Sequence, residues 1–326
     1  MDLSYLLSLQ AWRESMGGAL DGVFLLISEL GMPTIPLLVS LVCYWSVCKR
    51  TGLYLMFACN VSDWLNGVLK LWCSVYRPWV RDARLIPVKG ALSGASGYSF
   101  PSGHSSKAAA FYGGLAWQLR RRKAWMILCL LAVPLVMFSR NYLGVHTPQD
   151  VLVGMAVGGL TLALVGYGSR LLEKKPEADV PLALGVIALC ALSIVFVSLK
   201  AYPMDYAADG SLLVDPEKMK PDTYLSAGAV IGMMAGWLLE RRAVHFSTEG
   251  VSLCKRLLRS ATGIAVVLAL YLGVGKAFQV WLGANWGGLL RTTLMCFYAA
   301  GLHPLLFTRA EAMADRRGNP SVSAEG

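Results

Sequence analysis

Three short blocks of residues carry the chemistry of this 326-residue chain. Lys70 is followed by Arg77-Pro78. Then comes Tyr98-Ser99-Phe100-Pro101-Ser102-Gly103-His104, and Ser139-Arg140, His146 and Asp150 complete the set. The first block sets two cations near each other. The second presents a histidine just after a Ser-Gly turn, and the third spaces a histidine and a carboxylate i, i+4. A phosphate monoester carries about two negative charges. A site that transfers it without a metal must supply fixed cations and N–H donors. Lys70 offers a point charge at the end of a helix, and Arg77 and Arg140 each offer a planar bidentate fork. Ser102 and Gly103 directly precede an apolar run, where the backbone N–H groups of a helix N-terminus form an anion site. If residues 146–150 are helical, Asp150 accepts the Nδ1 proton of His146 and leaves Nε2 free to attack phosphorus. His104, on another segment, is then free to protonate the leaving oxygen and later to activate water.

The elements that must position these residues are read from hydropathy. The chain is 56% hydrophobic and 15% charged, against about 25% charged in soluble domains. Apolar runs recur along its whole length, so the expected fold is all-α, a polytopic transmembrane helical bundle. Residues 1–32 read as an interfacial segment of one or two amphipathic helices. Nine spans are expected at about 33–48, 52–70, 104–119, 124–140, 149–170, 180–199, 223–239, 260–282 and 287–308. Residues 33–200 form the expected catalytic membrane core, 201–308 a three-span C-terminal extension and 309–326 a polar tail. The net charge of +10 would suit nucleic acid, but most cations cluster in short loops between apolar runs, so no nucleic-acid partner is expected. Seventeen of the thirty Lys and Arg residues fall on one side of the nine spans. By the positive-inside rule that side is cytoplasmic. The C-terminus is then cytoplasmic, and all three motif blocks open to the extracytoplasmic side of a plasma membrane, bacterial by expectation. Most of the eight cysteines lie inside apolar runs with no CxxC pair, and they read as small buried hydrophobes. The first residues are acidic and no A-x-A site follows them, so no cleavable leader is expected.

The full pattern resembles the type-2 phosphatidic acid phosphatase superfamily, which includes the vanadium haloperoxidases. That pattern is Lys, six residues, Arg-Pro; Pro-Ser-Gly-His; then Ser-Arg, five residues, His, three residues, Asp. Lys70, Arg77, Pro78, Pro101, Ser102, Gly103, His104, Ser139, Arg140, His146 and Asp150 match every position. The likeness covers roughly residues 50–170. It implies a phosphohistidine on His146 with His104 as acid and base. It also implies Lys70, Arg77, Ser102, Gly103 and Arg140 as phosphate ligands, with no metal and no cofactor. Two spans before the first block and extra spans after the core resemble the glucose-6-phosphatase and sphingoid-phosphate phosphatase branches.

The expected function is metal-independent hydrolysis of a lipid phosphate or diphosphate of phosphatidate, isoprenoid or sphingoid type, because a lipid reaches a site at the bilayer surface from the side. The expected partners are that substrate and membrane lipids, with no obligate protein partner. A sugar-phosphate phosphatase and a lipid phosphotransferase are the alternatives. A transporter that kept the fold would have no use for a nucleophile. A haloperoxidase would be soluble. Asp63 is either a partner in the site or a plain interhelical bond. Lys107 lines the cavity, snorkels or pairs with Asp63. Lys276 and Arg291 lie near the outer ends of the last spans, and His245 and His303 read as structural. Trp72, Trp79, Tyr98 and Trp281 fit an interfacial aromatic belt.

Overall fold

The computed structural model describes residues 3–95, 97–207 and 209–318. The last eight residues of the expected polar tail lie outside them. Among the described residues the fold is all helical, with one isolated bridge between Tyr206 and Leu212. The helices are α1 (Ser4–Ser15), α2 (Asp21–Glu29), α3 (Thr34–Val42, continued by a π-turn to Val47), α4 (Lys49–Cys73) and the short α5 (Pro78–Arg81). Then come α6 (Gly103–Ala108), joined by a π-turn to α7 (Gly114–Gln118), α8 (Lys123–Tyr142), α9 (Pro148–Lys174) and α10 (Asp179–Leu199). α11 (Lys220–Leu239), α12 (Leu253–Ala269), α13 (Gly275–Phe297) and α14 (His303–Gly318) complete the chain. Helix occupies each of the nine segments expected to be spans. The break between the last two falls inside α13, at Gly283 (φ 76°, ψ 175°).

Among the described residues, five stretches are long and apolar enough to cross a membrane: Asp21–Val47, Lys123–Tyr142, Pro148–Lys174, Pro176–Leu199 and Leu253–Arg316. α4 and α11 are not among them, and packing gives the reason. α4 buries Leu55, Met56, Phe57, Ser62, Trp64 and Asn66, and α11 buries a row of Gly, Ala, Met and Thr. Faces that meet other helices instead of lipid can carry polar residues.

Two small-residue stripes draw the helices into contact. On α9, a Cβ at Gly154 would lie 2.5 Å from the Ser102 carbonyl oxygen, and one at Gly158 would lie 2.5 Å from that of Ser106. On α11, Gly228, Gly232 and Gly236 meet the carbonyls of Leu289, Thr293 and Phe297 on α13 in the same way. Such spacing lets backbones approach where lipid offers no hydrophobic drive. The first stripe fixes the start of α6 against α9, which is where the second and third motif blocks lie.

The C-terminus of α4 is held from a distance. Ser74 takes the left-handed conformation (φ 50°). Lys200, at the end of α10, donates to the Leu71 and Trp72 carbonyls at 2.5 Å each. A cation there complements the helix dipole. The opposite end of the bundle is laced by ion pairs: Lys49–Glu240, Arg50–Glu173, Arg242–Asp179 and Arg259–Glu311. α14 runs through residues 309–318, where a polar tail was expected, because Glu311 and Asp315 pair with Arg259 and Lys255 of α12.

Gly158→Leu is expected to force α6 from α9, at the cost of about 1–3 kcal/mol typical of overpacking. The thermal midpoint in detergent should fall. Gly159→Ala, which meets nothing within 4 Å, should leave it unchanged. Equal midpoints for the two would remove the close-approach explanation.

Candidate active site

Four chain segments converge at one end of the bundle. The end of α4 supplies Lys70, and Arg77 follows in extended conformation as N-cap of α5. Ser102 caps α6, its Oγ accepting from the Ser105 N–H. The link between α8 and α9 carries His146. That link turns at Gly144 (φ 73°) and is pinned where Asn141 Nδ2 donates to the His146 carbonyl at 2.8 Å.

His146 lies just outside α9, which begins at Pro148. The sequence reading placed the 146–150 contact along a helix. It forms instead across a capping box, in which Asp150 Oδ2 accepts from the Thr147 N–H at 2.8 Å and the Asp150 N–H donates to Thr147 Oγ1 at 3.3 Å. His146 Nδ1 stands 3.4 Å from Asp150 Oδ2. Ser99 bridges the two, its hydroxyl donating to Asp150 Oδ2 at 2.5 Å and lying 3.4 Å from His146 Nδ1. On the other side of the ring, Arg77 Nη1 is 2.9 Å from Nε2. A guanidinium only donates, so Nε2 accepts and the neutral ring carries its proton on Nδ1, facing Ser99 and Asp150. Burial, reinforced by Arg77, Arg140 and Lys70, holds the His146 pKa well below the usual 6.5.

Arg77 is buried and also donates to the Gly97 carbonyl through Nε at 3.1 Å and to the Val145 carbonyl at 3.0 Å. Lys70 Nζ donates to the Tyr98 and Pro101 carbonyls at 3.1 and 3.2 Å. Arg140 is 2% exposed. Its Nη1 donates to Ser28 Oγ of α2 at 2.5 Å, while its Nε and Nη2 have no hydrogen-bond partner among the described residues. His104, 9% exposed, feels the charges of Arg140, Lys107, His146 and Arg77, and its ring lies against Gly94. Ser102 is fully buried and its N–H donates to the Asp150 carbonyl at 2.9 Å. Gly103 opens α6 beside Asn66.

The structure therefore brings Lys70, Arg77, Arg140, His104, His146 and Asp150 into one cluster, with Ser102 held against Asp150 and followed by Gly103. Lys107 and Asp63 form an ion pair at 2.8 Å, and Lys107 also acts on His104 and Lys70 through its charge. Tyr98 is fully buried in the core, not in an aromatic belt, because its backbone carries the loop that grips Lys70. Trp72 and Trp281 are exposed, as a belt requires. Ser28 and Ser99 were not singled out as partners by the sequence. Ser28 lies in the segment expected to be interfacial, and only the fold brings it to Arg140. Ser99 stands inside the second block, which was the one signal available for it.

Among the described residues no group of three or more His, Cys, Asp or Glu is arranged to hold a metal ion. A cavity of about 660 Å³ opens at the far end of α4, lined by Lys49, Arg50, Asp179, Glu240, Arg241 and Arg242. Its cations are already paired with acids, whereas Lys70 and Arg77 beside His146 meet backbone carbonyls.

Residues 51–171, which contain every motif block, match the PAP2 superfamily, and residues 224–316 match the PAP2 superfamily phosphatase transmembrane extension. The chain carries both, and is a member of the PAP2 superfamily and an integral membrane protein. It is similar to phosphatidylglycerophosphatase B of Bacillus subtilis, with 35% identity over 37% of this chain and 59% of that protein. It is similar to lipid A 1-phosphatase of Rhizobium johnstonii, with 33% identity over 40% of this chain and 54% of the relative. Undecaprenyl-diphosphatase of Sulfolobus acidocaldarius shares 29% identity over 43% of this chain and 66% of its own length. The chain thus spans between 54% and 66% of these relatives. No solved structure matches it significantly.

A neutral His146 at Nε2 is what an attack on phosphorus needs. The lowered pKa should keep the acid limb of kcat/KM below about pH 6.5, the ordinary histidine value. The same shift means that the unfolded state binds the extra proton. The stability that His146 contributes is therefore present above about pH 6.5 and lost as pH falls through the folded pKa. A pH–rate profile whose acid limb sits above 6.5 would contradict this assignment.

Proposed function

We propose that this chain is a metal-independent membrane phosphatase that hydrolyses a lipid phosphate or diphosphate through a phosphohistidine on His146. The observation that carries the reading is Arg140: a guanidinium 2% exposed, with two N–H-bearing nitrogens left unpartnered among the described residues, beside a histidine whose Nε2 is held by Arg77. Unpaired donors in a dry site cost about 1–3 kcal/mol each, and an anion with several oxygens removes that cost. The phosphoryl group sits among Lys70, Arg77, Arg140, the Ser102 hydroxyl and the Gly103 N–H at the start of α6. Arg77 turns from Nε2 to a phosphate oxygen, which frees the lone pair to attack. Asp150 and Ser99 stabilise the Nδ1 proton as positive charge develops on the ring. The phosphorus–oxygen bond to the leaving group breaks as His104 donates a proton to that oxygen. His104 then takes a proton from water, whose oxygen attacks the phosphohistidine and releases inorganic phosphate. The relatives' names, phosphatidylglycerophosphatase, lipid A phosphatase and undecaprenyl-diphosphatase, support a lipid substrate.

His146→Ala is expected to abolish both turnover and an acid-labile phosphoenzyme trapped with labelled substrate. The wild type should work in excess EDTA and be inhibited by vanadate. A panel of long-chain lipid phosphates against short water-soluble esters, with released phosphate as readout, separates lipid from sugar-phosphate substrates. Near-normal turnover by His146→Ala, or metal-restored activity after chelation, would refute the mechanism.

We infer nine spans, with residues 33–200 as the catalytic core and 201–308 as the extension, a site that opens to the extracytoplasmic face and a basic, ion-paired end in the cytoplasm. Each short-loop cation biases orientation in that sense. With native Cys73 replaced, a cysteine at exposed Ser93 should react with a membrane-impermeant thiol reagent on intact cells. One at exposed Ala124, beside Arg120–Lys123, should not. The reverse pattern would invert the topology.

A further inference from the structure

The loop at Gly97–Tyr98 holds both lateral cations of the site. The Gly97 carbonyl accepts from Arg77 and the Tyr98 carbonyl from Lys70. The other side of this two-residue bracket rests on the extension. The Tyr98 N–H points at Met219 Sδ at 3.2 Å. A Cβ at Gly97, whose φ is +67°, would stand 2.2 Å from the same sulfur. Met219 is 7% exposed and is the N-cap of α11, the helix that opens the matched extension. One turn on, Asp222 faces Lys70 and Lys107 electrostatically. Thr223 Oγ1 lies 3.0 Å from where a Cβ of Gly67 on α4 would be.

We propose that Met219 is a positioning residue for the phosphate site: its side chain, packed under Gly97–Tyr98, fixes the two carbonyls that aim Arg77 and Lys70, so that the extension forms one wall of the active site. The proposal rests on the phosphate-site reading above. A cation displaced by a fraction of an ångström keeps its charge but loses the geometry of its hydrogen bonds. A methionine suits the place, because a flexible, polarisable chain fills the irregular gap that a glycine at positive φ leaves.

The test uses the full chain in detergent and three variants: Met219→Ala, Met219→Leu and, as a control, Met234→Ala, which removes an equally buried methionine from the same helix. Two readouts are taken, kcat/KM on a short-chain phosphatidate and the rise in thermal midpoint caused by inorganic phosphate, which reports binding without turnover. Met219→Ala should lose at least tenfold in kcat/KM, about 1.4 kcal/mol, and most of the phosphate-induced rise. Met234→Ala should lower the midpoint similarly yet keep both readouts. Met219→Leu, which refills the space, should recover them. Equal behaviour of Met219→Ala and Met234→Ala in both readouts, or failure of leucine to rescue, would overturn the role of Met219. A wild type whose midpoint ignores phosphate would instead overturn the phosphate-site reading.

Discussion

The structure depends on holding Lys70, Arg77 and Arg140 together in a pocket that excludes water. Like charges in a low dielectric repel, and each loses several kcal/mol of hydration on burial. Asp150 is close by, but its Oδ2 already accepts from Thr147 and Ser99, and Asp222 and Glu29 reach Lys70 and Arg140 through charge alone. The chain therefore turns backbone carbonyls toward the cations, those of Gly97 and Val145 to Arg77 and those of Tyr98 and Pro101 to Lys70. A carbonyl dipole satisfies a donor without cancelling its charge. The pocket stays positive, and an oxyanion can displace these contacts without first breaking an ion pair.

That choice separates the two ends of the bundle. At the basic end each cation of the main network has a carboxylate partner: Lys49 with Glu240, Arg50 with Glu173, Arg242 with Asp179, Arg259 with Glu311. Those charges hold helix ends together and have little left over for a ligand. At the site end Lys70 and Arg77 keep backbone carbonyls, and Arg140 keeps the Ser28 hydroxyl, with its Nε and Nη2 left without a hydrogen-bond partner among the described residues. The same residue types thus serve packing at one pole and chemistry at the other, and the partner decides which.

The three blocks were legible because each is local. Block spacing is fixed by helix ends and turns, and those ends carry ordinary signals: Ser102 as N-cap, Thr147-Pro148 with Asp150 as a capping box, Gly144 at a positive-φ turn. The helices were legible because a membrane enforces apolar length. The pattern could not show which distant residue meets which charge. Ser28 reaches Arg140 across 112 positions and Met219 reaches Tyr98 across 121. Neither has a periodic or motif signature, since each is an ordinary side chain until the fold delivers it. The i, i+4 spacing of His146 and Asp150 pointed to the right pair for an incomplete reason. The carboxylate is first a helix cap, and its reach to the histidine follows from that.

The capping role bears on how the site keeps its shape. Asp150 is fully buried and is fixed by the start of a 27-residue helix, whose glycine stripe presses on the start of α6. The carboxylate and the start of α6 at Ser102 and Gly103 are therefore positioned by a single helix contact, and the histidine is held beside them by the link pinned at Asn141. What that contact does not hold is the Gly97–Tyr98 bracket and the cations it aims. A core that supplies the fixed half from α6 and α9 needs a second support for the adjustable half, and in this chain that support comes from α11.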